Sequence, residues 1–121
     1  MRSPVIASLV GLALACASPT EPGASGLRAQ ATNGTVQLQN PSTHRLFYFI
    51  LERQAAAAAN WAACVEPACP SLAPGDGTSL PYAAIGGYAP GQREAIVWWW
   101  EAQARAGGSV PGPIHLLVLP L

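Results

Sequence analysis

The chain has 121 residues and a mass of 12.5 kDa; half of it is hydrophobic, only 10% is charged, and the formal net charge is +0. One domain of about 100–150 residues fills that length, which excludes a multidomain enzyme, and the lack of a basic stripe to meet phosphates argues against nucleic-acid binding. Twelve Gly and twelve Pro point to many turns without reaching a disordered or collagen-like composition.

In chain order, the first feature is an apolar run from Val5 to Ala15 behind the lone charge of Arg2. As a helix it would rise about 16 Å, too little for a hydrocarbon core of about 30 Å. A positive start, a short apolar stretch and small residues after it make a secretory signal peptide, residues 1–15. The four residues Ala13-Leu14-Ala15-Cys16 resemble the lipobox of bacterial lipoproteins, matching at Leu14, Ala15 and Cys16 and departing at Ala13, where that family more often has leucine. The resemblance covers only this processed segment. It implies cleavage before Cys16, acylation of that sulfur and membrane attachment through the lipid. Ala17, where some lipoproteins have an acidic residue, resembles outer-membrane-destined cases, so the implied location is the outer membrane, facing periplasm or cell surface. The alternative is an ordinary signal peptide cut near Ala15 or Ala17, with Cys16 incidental.

Three cysteines, Cys16, Cys64 and Cys69, leave one thiol over in an exported protein. Acylation of Cys16 accounts for it. Cys64 and Cys69 can then close a small loop in an oxidising compartment; their C-x4-C spacing is not the C-x-x-C redox motif, and with no nearby histidine they form at best half a zinc site.

Residues 16–34 read as a lipidated flexible tether, small and turn-rich without periodicity, with a reach of about 23 Å. The domain is placed at 35–121. Thr35 to Gln39 alternates strictly and predicts a half-buried strand with Val36 and Leu38 inward. After the turn at Asn40-Pro41-Ser42, Arg45 to Glu52 is apolar on both faces and predicts a central strand. Ala55 to Ala59 predicts a single helical turn or a bland crossover, and Trp61 to Ala63 a short strand leading into the cysteine loop. Pro74-Gly75-Asp76-Gly77 turns the chain, and Pro81 assigns Thr78 to Tyr82 to a sheet edge. A second turn region, Gly86 to Gly91, leads into the strongest strand, Glu94 to Ala102. A long hairpin loop through Gly107 and Pro113 then precedes a last strand, Ile114 to Leu119, expected to pair antiparallel with it.

About six strands at spacings near ten residues predict an all-β fold: a small antiparallel β-sandwich, immunoglobulin-like in arrangement, with a small open β-barrel as the alternative. The antibody-type inter-sheet disulfide is excluded, because Cys64 and Cys69 lie too close in sequence to link two sheets.

The candidate binding surface is aromatic: Trp98, Trp99 and Trp100, with Trp61. Trp98 and Trp100 share one face of their strand and Trp99 takes the other. Outward tryptophans anchor protein partners or stack on sugar rings; inward ones fill the core. Other chemistry is thin. Glu52 and Glu101 close two aromatic strands; side by side they would mimic a glycosidase pair, and otherwise each sits at a wet strand end beside Arg53 or Arg105. Ser109 lacks the G-x-S-x-G elbow. His44 and His115 are isolated surface or edge residues, short of a metal site. Asn33-Gly34-Thr35 matches a glycosylation triplet that a bacterial-type signal makes moot. No catalytic residue, metal or cofactor is assigned. The expectation is a lipid-anchored envelope protein whose sandwich is a non-catalytic protein-binding or accessory module. Carbohydrate binding through exposed tryptophans and a purely structural envelope role are the alternatives.

Overall fold

The computed structural model describes residues 26–121, so the signal peptide, Cys16 and the start of the tether lie outside the described residues. Nine strands, one short helix and a 3₁₀ turn follow. They are β1 (Arg28–Thr32), β2 (Thr35–Gln39), β3 (Leu46–Glu52), α1 (Arg53–Ala58), β4 (Ser71–Leu72), β5 (Gly77–Pro81), the 3₁₀ turn (Tyr82–Ala84), β6 (Glu94–Trp100), β7 (Ala102–Arg105), β8 (Gly108–Pro111) and β9 (His115–Pro120).

The tether expected to run to Gly34 gives way to a strand at Arg28. β1 pairs with β2 across the two-residue turn Asn33-Gly34, whose φ values of 53° and 81° are those of a type I′ hairpin. The inward positions of β1 are Ala29 and Ala31, too small to leave an apolar alternation in the sequence, while Leu27 just before them is buried in the core. Gly26 lies against Trp99, where a Cβ would come within 2.4 Å of the indole.

Two antiparallel sheets face each other without closing into a barrel. One has the order β9-β6-β3-β4, the other β1-β2-β5. In immunoglobulin strand notation these are G-F-C-C′ and A-B-E, so the fold is an immunoglobulin-like β-sandwich. Val36 and Leu38 of β2 meet Leu46 and Ile50 of β3, Ala95 and Val97 of β6, and Leu119 of β9, with Leu27, Leu72 and Ile85 filling the ends. β3 and β6 are central, as their continuous apolar runs require, and β5, ending in Pro81, is an edge. β9 pairs antiparallel with β6, Leu117 opposite Val97.

The tryptophan strand stops at Trp100. Gly112 N–H donates to the Glu101 carbonyl at 2.7 Å, and the stretch read as loop contains a separate exposed ribbon, β7 paired with β8. Asn40 is 1% exposed and knots three segments together. Its Nδ2 donates to the carbonyls of His44 (2.7 Å) and Leu72 (2.9 Å), its Oδ1 accepts from Ser42 N–H and Oγ, and its backbone bonds to Asp76 and Gly75.

Glu52 does not sit at a wet strand end beside Arg53. It is 3% exposed and caps α1, its Oε1 accepting from Gln54 N–H (2.8 Å) and Ala55 N–H (3.0 Å). The alanine tract needs this cap, because six residues cannot hold a helix unaided. Glu52→Ala is expected to cost about 2 kcal/mol in urea unfolding, and Glu52→Gln, which keeps an acceptor, less than half of that.

Candidate functional site

Strand alternation sends Trp98 and Trp100 of β6 to the outer face of the four-stranded sheet, with Phe47 and Phe49 of β3 beside them. Trp99 faces inward and packs on the main core. The outer face is roofed by the connection from α1 to β4, which brings Trp61, Ala63, Cys64, Val65 and Cys69 down onto it. Trp61 is part of this roof and forms no strand, contrary to the expectation for Trp61 to Ala63; its ring lies 4.8 Å from Trp98, 5.0 Å from Phe49 and 5.6 Å from Trp100. The sheet therefore has a core on each side. That explains why β3 and β6 are apolar at both parities.

Cys64 and Cys69 form a disulfide, with Cα atoms 6.0 Å apart. It closes the roof over Trp100, which is 2% exposed and donates its Nε1–H to the Cys64 carbonyl at 3.0 Å. Entropy of so short a loop gives about 2 kcal/mol. Cys64→Ser with Cys69→Ser should lower stability by about that amount and red-shift tryptophan emission in the folded state, as the roof loosens over Trp61 and Trp100.

Of the four candidate tryptophans, Trp61, Trp98 and Trp100 thus form one cluster. Trp100 is closed to solvent, whereas Trp61 and Trp98 are half-buried at its rim. Trp99 stands apart, stacked on His115 with ring centroids 4.0 Å apart. Opposite it on β3 is Tyr48, whose phenol is pushed above the ordinary tyrosine range by burial.

Glu52 and Glu101 do not meet. Glu52 is opposite Ala95, and Glu101 follows Trp100, which is opposite Phe47; the offset separates them by roughly 20 Å along the sheet. Arg53 pairs instead with Glu94, Nε to Oε1 at 3.4 Å, beside an open, shallow depression of about 420 Å³. His44 is exposed in its turn. Among the described residues, no three or more His, Cys, Asp or Glu side chains group as a metal site.

The apolar rim of this face is not among the site residues expected from sequence. Ile114, Leu116 and Val118 lie exposed in and beside β9, with Leu116 directly opposite Trp98 and Val118 opposite Ile96. The signal was present: a last strand apolar on both faces, at the end of a sheet, leaves one face uncovered.

Compared with known protein families, curated proteins and solved structures, the chain finds no match.

Proposed function

We propose that this chain is an exported, lipid-anchored protein of a bacterial cell envelope, held through Cys16, and that its sandwich is a non-catalytic module docking a protein partner. The observation that carries the docking role is the strip Ile114, Leu116 and Val118, exposed and continuous with half-buried Trp98. Single exposed apolar residues are ordinary, but a contiguous strip beside an aromatic is the composition of a protein interface. The Cys64–Cys69 bridge supports an oxidising compartment, and the Ala13-Leu14-Ala15-Cys16 resemblance supports the anchor.

Carbohydrate stacking fits less well. A sugar needs a free indole face, and Trp98 lies stacked with Phe49 at 24° and 6.0 Å while Trp61 tilts against its flank.

Two measurements test the proposal. A palmitate analogue should label the wild-type chain in an exporting bacterial host, and continued labelling of Cys16→Ala would end the anchor. A photoreactive side chain at position 116 should crosslink a protein in the envelope. Equal crosslinking from the exposed position Thr43 would count against the strip as the docking surface.

A further inference from the structure

The geometry points to a second copy of this chain as the occupant of that strip, through antiparallel pairing of β9 with β9 of the other copy about a two-fold axis at Leu117. This inference rests on the reading of the strip as a protein-docking face and names its partner.

Three observations converge. The first is which polar groups β9 leaves free. Leu121 donates its N–H to the Arg93 carbonyl at 2.8 Å, continuing the β9–β6 register. Backbone groups alternate sides along a strand, so that bond sets the parity of the whole element. His115, Leu117 and Leu119 bond toward β6, and Leu116 and Val118 turn their N–H and C=O outward. Pro120 is also turned outward, where it lacks an N–H and ends the ladder. The free row is symmetric about Leu117. In a two-fold antiparallel pair, Leu116 exchanges both hydrogen bonds with Val118 of the other copy, and Val118 with its Leu116.

The second observation is that, among the edge strands of the two facing sheets in the described residues, β9 is the one that exposes large apolar side chains. β4 is two residues long, β5 exposes Gly77, Ser79 and Pro81, and β1 exposes Arg28, Gln30 and Thr32. Short strands and polar or charged edges are recognised ways to keep strands from adding. From Ile114 to Leu121 there is no Asp, Glu, Lys or Arg, and His115 is stacked on Trp99.

The third is area. Leu116 is 57% exposed, Val118 51% and Ile114 49%. Together these offer on the order of 300 Å² of apolar surface per copy, about 600 Å² for two, so with their strand backbones the pairing belongs to the small, reversible interfaces below ~1,200 Å². Pairing sets Leu116 and Val118 beside their symmetry mates in one apolar row. It also consumes the open edge of both copies, so the assembly closes as a dimer with an eight-stranded sheet.

The register supplies the test. In the full chain carrying Cys16→Ala, Leu117→Cys would face itself across the axis at about 4.5 Å between Cα atoms, within disulfide range. Leu116→Cys would lie roughly 8 Å from its mate, outside that range. Mild oxidation should therefore give about fivefold more disulfide-linked dimer from Leu117→Cys than from Leu116→Cys, and adding Val118→Lys should abolish it. Equal yields at the two positions, or a yield insensitive to Val118→Lys, would overturn the register. Sedimentation adds an arm free of cysteine chemistry: the Cys16→Ala chain should dimerise with rising concentration and Leu116→Lys should remain monomeric. A Cys16→Ala chain monomeric throughout overturns self-pairing. Binding of an anilinonaphthalene dye then separates the two ideas, since binding lost in Leu116→Lys keeps the docking face for another partner and binding unaffected by it removes both.

Discussion

Trp100→Ala is expected to be the most damaging single substitution on the outer face of the large sheet. The indole is 2% exposed and packs with Phe47 and Cys69 under the disulfide roof. Truncating a buried tryptophan costs about 4 kcal/mol. A domain of this size has about 5–10 kcal/mol in all, so the variant should melt roughly 20 °C lower. Trp100→Phe separates packing from hydrogen bonding. It keeps a ring but leaves the Cys64 carbonyl without the donor that reaches it at 3.0 Å, and should cost about 1–2 kcal/mol. If thermal unfolding shows Trp100→Ala within about 1 kcal/mol of wild type, the roofed cluster contributes little and the sandwich stands on its inner core alone.

Asn40→Ala should follow closely, at about 3 kcal/mol, because it strips two donors from carbonyls and two acceptor contacts from Ser42 at a buried junction. The Leu72 carbonyl is the costly one, since that bond is wholly buried. Asn40→Asp is nearly isosteric yet should cost at least as much: a carboxylate would face the carbonyls of His44 and Leu72 and be buried as a charge. Denaturant titration of the two variants checks the argument. A harmless Asn40→Asp would mean that shape, rather than donor chemistry, holds the β2–β3 connection to β4.

Where residue type and period agreed, the architecture was readable from the chain. Val36 and Leu38 announced β2, the two apolar runs announced the central pair β3 and β6, and Pro81 announced an edge. Reading failed where side chains carry little signal or where contact is distant in sequence. β1 escaped notice because its inward residues are alanines, and the tightness of the Asn33-Gly34 turn was the better clue. Glu52 looked like a solvated strand end, because a carboxylate that caps the next helix is indistinguishable in sequence from one that meets water. The disulfide followed from cysteine arithmetic. That the segment leading into it would roof two tryptophans did not, since only the fold shows Trp61 returning over Trp98 and Trp100.

The β7–β8 ribbon closes through Ala106 and Gly107, with Gly107 at φ 94°, and it contributes no side chain to either core. Its tip is therefore the natural place to graft foreign sequence. A peptide epitope inserted between Ala106 and Gly107 would hang from a two-stranded stalk, leaving the layers beneath to assemble without it.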